Sequence, residues 1–316
     1  MQLSKSVVEQ SISALSPNDV PFGIVPIAGQ IERPPGADEA WDFKNNPHYH
    51  LPGAAAAIVI LYPYQLVRAQ RQPGQGRVAS IGYHADYHRV VEAYLKQLAE
   101  QLTSRIGPFD YKIFVDKHGL YDVKMAVLAG LGHIGKLSML LNRQYGTAHN
   151  IGYILTTLQS PAPEQLVEDS CVSCNRCERA CPNGALKSRK VDVTRCRAAL
   201  NQKKGVLSEA DIANMGEWFY GCDICQYACP HNRHGEVADG NVDLTEIMQL
   251  TKSTFRQYHQ KKSYGYLGLA RLKRNAMVIL YKQRGLSALA QYAEVIARSP
   301  LLSEQYEILK QLAAKS

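Results

Sequence analysis

No stretch of this sequence is apolar for long enough to cross a bilayer. The longest run, residues 54–61, falls far short of the roughly 20 residues that a spanning helix needs. The first fifteen residues mix polar and apolar types without the uninterrupted core of a secretory leader, so a cytoplasmic protein with no membrane partner is expected. Low-complexity tracts are absent, which excludes a disordered or fibrous chain. Acidic residues are missing from two places: none occurs in residues 125–163, and none in residues 251–285, where nine Lys or Arg fall. The first gap bears on nucleotide binding, the second on partners of negative charge.

What is present is ordinary for a soluble globular chain of 316 residues: 46% apolar, 20% charged, with a formal net charge of +8. Residues 24–28 and 54–61 have the length and composition of buried strands, and 113–115 and 151–156 are two further candidates. Residues 30–50 are polar and proline-bearing and read as an extended connection. Val90, Val91, Tyr94, Leu95, Leu98 and Leu102 recur at helical spacing and define one buried stripe. From residue 161 the character changes to a cysteine-rich block, and from about 236 to basic, mostly helical sequence that ends in a Leu/Ala-patterned stretch at 286–314. An α+β protein of three parts follows: residues 1–165, 166–235 and 236–316.

All eight cysteines fall into two sets. The first is Cys171-x2-Cys174-x2-Cys177-x3-Cys181-Pro182; the second is Cys196, then Cys222-x2-Cys225-x3-Cys229-Pro230. Two residues between thiolates let a tight loop aim both sulfurs at one cubane, and the prolines end the loops by fixing φ and withholding a donor. This is the two-cluster ferredoxin pattern, in which the fourth cysteine of each run serves the other cluster. Cluster one then takes Cys171, Cys174, Cys177 and Cys229; cluster two takes Cys181, Cys196, Cys222 and Cys225. Zinc is the alternative, since CxxC also suits a tetrahedral site, but the close CxxCxxCxxxC run ending in proline is the ferredoxin arrangement. Eight deprotonated ligands and two oxidised cluster cores bring the net charge to about +4, still basic. Two clusters alone only move electrons, and a free ferredoxin needs a fraction of this length.

Residues 129–136 read AGLGHIGK. Gly130-x-Gly132-x-x-Gly135 matches a dinucleotide fingerprint, but the segment before it patterns as a helix and no acid follows to hold a ribose. As a phosphate loop it fails at Leu137, where a hydroxyl should hold magnesium. A tight glycine turn is one remaining reading; a surface that a large flat cofactor approaches closely is the other.

Four stretches in order and spacing resemble the epoxyqueuosine reductase family: Asp86-Tyr87-His88, Val115-Asp116 with the AGLGHIGK loop, CVSCNRCERACPNGAL, and Tyr220-Gly221-Cys222-Asp223-x-Cys225 through Cys229-Pro230. Together they cover roughly residues 54–233. The resemblance implies a nitroreductase-like α/β cobalamin-binding domain, a two-cluster ferredoxin-like domain and a short C-terminal helical region. It implies cobalamin and two 4Fe–4S clusters as cofactors, and Asp116 as the acid that protonates a departing epoxide oxygen. Cobalamin would lie over Gly130, Gly132, His133, Gly135 and Lys136, with His88 in its pocket. Asp86-x-His88 and Asp116-x-His118-Gly119 each match the start of a cobalt-ligating DxHxxG motif, yet Val91 and Tyr121 stand where its glycine belongs, so neither histidine is read as a cobalt ligand. The chain departs from the family in being shorter at both ends, in lacking a Gly- and Met-bearing helix motif in residues 30–50, and in placing His133 where an aromatic is usual.

The expected activity is reduction of the epoxide of epoxyqueuosine in tRNA to queuosine, with electrons from an external donor such as flavodoxin or ferredoxin. Lys261, Lys262, Lys273 and Arg274 are the expected phosphate contacts, with Tyr264 and Tyr266 for stacking. Two alternatives keep the clusters: a cobalamin-dependent reductase of a small molecule, like the reductive dehalogenases, or an electron-transfer module that reduces a partner's corrinoid.

Overall fold

The structure, a computed structural model, describes residues 2–15, 20–28, 45–116, 118–237 and 240–315. Most of the expected connection at 30–50 lies outside them; its end forms the helical turn Pro47–His50. The chain falls into two compact units: Met1–Tyr64 with Tyr87–Cys174 and His231–Arg233, and Gln65–Asp86 with Asn175–Pro230 and His234–Ser316. These differ from the three consecutive parts expected. Residues 65–86 leave the first part because strand Gln75–Val78 pairs with Trp218–Tyr220 and Val242–Asp243. The C-terminal helices share one core with the second unit and form no separate domain.

The first unit is built on an antiparallel sheet of β1 (Phe22–Pro26), β2 (Ala56–Pro63), β3 (Tyr111–Phe114) and β4 (His149–Thr156), in the order β1-β2-β4-β3. Strand side chains alternate faces, and here both faces are covered. Ile24, Ala56, Ile58, Ile60 and Ile154 pack with helices α1 (Lys5–Leu15) and α2 (Tyr87–Ile106). Val25, Ala57, Val59, Leu61, Tyr153 and Leu155 pack with α3 (Asp122–Leu128) on the other side. That double burial is why residues 54–61 read as continuous apolar sequence without alternation. The helical stripe appears on α2, where Val91, Tyr94, Leu95, Leu98 and Leu102 are buried and Val90 is half-buried.

His149, at the start of β4, is buried, and neither ring nitrogen has a hydrogen-bond partner among the described residues. Desolvation drops its pKa from 6.5 to about 4, outweighing the nearby carbonyls of Leu140 and Gly146, which favour the proton. An unfolded chain therefore takes up a proton between these values that the folded chain refuses, so stability is complete above pH 6.5 and is lost as pH falls toward 4. The loss attributable to this group is roughly 3 kcal/mol at pH 4. Urea unfolding of the parent and of His149→Phe across that range checks this: the acid-side decline should be shallower in the variant.

The second unit surrounds a helix, Gly268–Arg284, whose residues 272–280 are all buried. Its apolar partners run from Val78 through Phe219 and Leu244 to Leu309. Two residues expected to touch RNA, Lys273 and Arg274, lie inside this wall at 9% and 0% exposure, and that expectation is corrected. The Arg274 guanidinium donates to the carbonyls of Asn201, Lys203 and Gly205 and to Asn275 Oδ1. These carbonyls close the helix Arg197–Gln202, whose last turn lacks internal donors. A basic sequence stretch thus concealed structural cations. Tyr264 is also buried, its hydroxyl against His259 Nδ1 at 3.0 Å.

Candidate functional site

Asp116 follows β3 at the turn that leaves the sheet, with φ 54°. That left-handed conformation is unfavourable for most side chains and tolerated by Asp, and strain of this kind collects where a side chain must be aimed. Its Oδ2 accepts a 2.7 Å hydrogen bond from the Tyr87 hydroxyl and lies 3.4 Å from His88 Nε2. Tyr87 and His88 open α2 and stack, ring centroids 4.1 Å apart. The three residues converge because β3 ends where α2 begins; His88 and Asp116 then line a cavity of roughly 420 Å³ with Glu92, Phe114 and His118. The Asp116 side chain is 56% exposed, so it reaches whatever fills that space. His88 is thereby placed as a support of Asp116. His118 Nδ1 accepts the Leu120 amide at 3.2 Å, which leaves the ring proton on Nε2, 3.1 Å from Asp122. Sequence reasoning assigned no task to Tyr87, although its place between Asp86 and His88 in a quoted motif marked it.

The AGLGHIGK segment joins the end of α3 to a two-stranded hairpin, His133–Ile134 with Leu140–Leu141. A nucleotide fingerprint needs the opposite order, strand before and helix after, and that reading falls. A side chain on Gly132 would press within 2.3 Å of the Leu141 carbonyl, so this glycine serves the hairpin and leaves no opening for a macrocycle. Gly130, at φ 67°, faces the Gln165 carbonyl in the same way. Gly135 differs: a Cβ there would meet only Leu137, Met139 O and Cys171 Sγ, at 3.5–3.7 Å. His133 is buried with Nε2 3.3 Å from Asp169 Oδ1, and Asp169 Oδ1 accepts the Cys171 amide at 2.8 Å. Lys136 Nζ donates to Val172 O at 3.1 Å. The loop therefore braces the entry to the first cysteine run. His133, Asp169 and Cys171 lie close enough to hold an ion, but Cys171 is already a ligand of the cluster pattern.

None of the eight cysteines forms a disulfide. In the second unit the helices Arg176–Ala180 and Ile224–Tyr227 pack together and present Cys177 and Cys225. Besides the larger effect of burial, Cys196 lies near enough to raise the pKa of Cys222 and Cys225, and Cys229 near enough to raise that of Cys177. The Cys181 turn is tied to the Cys196 segment by Asp192 N to Ala185 O and by Asn183 Nδ2 to Arg195 O. Burial pushes the Cys222 thiol up to about 12 and Cys225 higher still. Such thiols ionise only beside a strong local cation, which is what a cluster core supplies; the donor set fits the group. Two buried networks hold the second cysteine pair. Asn201 donates to Trp218 O and Gly221 O and accepts the Gly221 amide, while Asn275 donates to Asn201 O and Phe219 O. Asp223 accepts from Ser80 N at 2.6 Å, Ser80 Oγ at 2.7 Å and Gln226 Nε2 at 2.9 Å. These partners lie far apart in sequence and left no periodic signal; the acid between Cys222 and Cys225 was the one visible trace.

The crossover assignment makes a separable prediction. Cys229→Ala should cost about four irons per chain and the spectroscopic signature of one cluster, leaving the other. Iron analysis with electron paramagnetic resonance of the reduced protein checks it; a variant that retains the cluster of Cys171, Cys174 and Cys177 would refute the partition.

Sheet, cysteine set and aimed carboxyl together describe an iron–sulfur oxidoreductase with a second domain beside its clusters. Residues 170–232 match the 4Fe-4S double cluster binding domain, and residues 44–117 match the family model described as epoxyqueuosine reductase QueG. The chain is 32% identical over 254 residues to the epoxyqueuosine reductase of Salmonella typhimurium, covering 75% of this chain and 66% of that protein. With the Bacillus cereus epoxyqueuosine reductase it shares 30% over 273 residues, 81% of this chain and 72% of the relative. The chain thus spans about two thirds to three quarters of these relatives' length. The Streptococcus thermophilus epoxyqueuosine reductase superposes with a TM-score of 0.83 at 24% identity, over 97% of this chain and 90% of that one. An epoxyqueuosine reductase solved with an epoxyqueuosine-modified tRNA stem loop superposes at 0.80 and 22%, over 98% of each chain. This chain belongs to the epoxyqueuosine reductase family.

Of the expected RNA contacts, Lys261 is exposed and Lys262 donates to the Tyr83 carbonyl at 3.0 Å. Tyr266 is 50% exposed, with its hydroxyl on Gln202. No helix among the described residues is long and apolar enough to cross a membrane.

Proposed function

We propose that this chain reduces the epoxide of epoxyqueuosine in tRNA to queuosine, in the cytoplasm, using two 4Fe–4S clusters, cobalamin and an external electron donor. The observation that carries the reading is Asp116: a carboxyl in a left-handed turn, gripped at Oδ2 by Tyr87 and His88 and aimed at a cavity. Membership of the family supports the substrate.

Bound cobalamin would supply a reduced, strongly nucleophilic metal able to open a strained ring. The chain's own residues do the rest. Asp116 carries a proton into the site and gives it to the oxygen that leaves the ring. Tyr87 and His88 fix the carboxyl's direction so that the transfer needs no search. Gly135, beside Cys171, is the glycine of the loop where a flat macrocycle would approach the backbone most closely. Gly135→Ala introduces no steric clash, so it should keep full iron content and lose cobalamin affinity, read by absorbance titration. Unchanged affinity would move the corrin elsewhere.

The function is tested by anaerobic incubation of the holoprotein with epoxyqueuosine-bearing tRNA and a reductant, followed by nucleoside mass spectrometry. Queuosine should accumulate with multiple turnover. Cobalamin-loaded protein that leaves the tRNA unchanged but reduces a small halogenated or epoxide substrate would establish the small-molecule alternative instead.

A further inference from the structure

Strand alternation gathers four arginines on one side of the second unit. In the strand Val67–Ala69, Val67 and Ala69 are buried and Arg68 points out; in Gln75–Val78, Gly76 and Val78 are buried and Arg77 lies on the outer side. Arg71 and Arg197 join them around a cavity of about 440 Å³ whose floor includes Trp218, Ile224 and Tyr227. Glu236 is the acid among the lining residues, and Arg71 also pairs with Glu217 at 3.0 Å. Neither the proposed acid chemistry nor the cobalamin loop uses this cavity. Its position is specific. Ile224 lies between Cys222 and Cys225, and Arg197 directly follows Cys196 and is near enough to Cys222 to lower its pKa. Of the ligands assigned to cluster two, Cys196 and Cys225 are thus one residue, and Cys222 two residues, from a side chain that lines it. The Arg68 guanidinium sits over the Tyr227 ring, 5.0 Å from its centroid, and Arg197 Nε donates to Asn214 O at 3.1 Å, so with Arg71 three of the four cations are held in place.

We infer that this cavity is the docking surface for a small acidic one-electron carrier protein that delivers electrons to cluster two. The inference rests on the two-cluster reading. Charge complementarity names the occupant: a concave, arginine-lined surface raises the local concentration of an acidic partner and its encounter rate. Electron transfer weakens steeply with distance, so a carrier is effective only where it comes close to a cluster, and here residues next in sequence to the ligands of cluster two line the cavity. In each encounter one electron leaves the reduced carrier, which is oxidised by one, and enters cluster two, whose core charge falls by one. No bond is made or broken.

The test uses the holoprotein with reduced flavodoxin as the acidic carrier, following loss of cluster absorbance by anaerobic stopped flow. The parent's rate should fall steeply as salt rises, because exposed charges are screened beyond about 10 Å at 0.1 M. Arg68→Glu with Arg77→Glu should slow reduction by about 10- to 100-fold at low salt, a difference that closes at high salt. The milder Arg68→Gln with Arg77→Gln pair should fall between. Binding of oxidised flavodoxin, read by calorimetry, should weaken in parallel. Excess dithionite should bleach every variant to the parent's end point, which separates a lost docking surface from a lost cluster. A parent rate that ignores salt overturns the assignment without any variant, and so do variants reduced by flavodoxin as fast as the parent. Variants that bind an RNA stem loop poorly yet accept electrons normally would give the cavity to RNA and overturn it as well.

Discussion

Asp116→Asn is expected to slow turnover by about 10²–10⁴-fold, the range that general acid–base catalysis supplies. Asparagine is nearly isosteric and can still accept from Tyr87, whose hydroxyl lies 2.7 Å away, so the turn and the cavity should hold. Iron and cobalamin content should match the parent. Tyr87→Phe should cost less, because it disturbs the carboxyl's aim and leaves its proton. Normal turnover in Asp116→Asn would remove the acid from the mechanism.

The second large effect concerns Arg274. Arg274→Met should destabilise the second unit by about 1–3 kcal/mol, since it removes the donor to the Lys203 and Gly205 carbonyls and one of the two donors to Asn201 O. Those acceptors, Asn201, Lys203 and Gly205, belong to the segment whose Asn201 also holds Gly221, the residue before Cys222. Iron content should therefore fall along with the melting temperature. RNA affinity per folded molecule should not change. A variant that melts like the parent and loses RNA would restore Arg274 as a phosphate contact. Lys261→Ala, at an exposed position, should leave stability unaltered.

The contrast between Arg274 and Arg68 shows where sequence reading reached its limit. Strand and helix positions were legible because burial imposes a period: residues 54–61 and the stripe from Val91 to Leu102 carry it directly. The cysteine pattern was legible because cluster geometry imposes a spacing. Charged residues obey neither constraint. Nine cations without an acid in residues 251–285 looked like an RNA face, yet Lys273 and Arg274 are buried and Arg274 donates to the carbonyls of Asn201, Lys203 and Gly205. The arginines that do gather at the surface come from segments some 130 residues apart, at 68–77 and 197, and no local window contains them. The same holds for the glycines of AGLGHIGK: Gly132 is small because of a carbonyl across a hairpin and Gly130 because of the Gln165 carbonyl, neither of which a local window contains.

Strand Gln75–Val78 is synthesised early, yet its neighbours are Trp218–Tyr220 and Val242–Asp243, and the core above it needs Leu289, Leu302 and Leu309. During translation that strand waits with its edges bare until residues 218–220 and 242–243 have been added. Long-range pairings of this kind form slowly and leave sticky intermediates. The cysteines emerge before the core that orders their loops is complete, so the loops that hold cluster two gain their support only once the residues around Leu309 have been made.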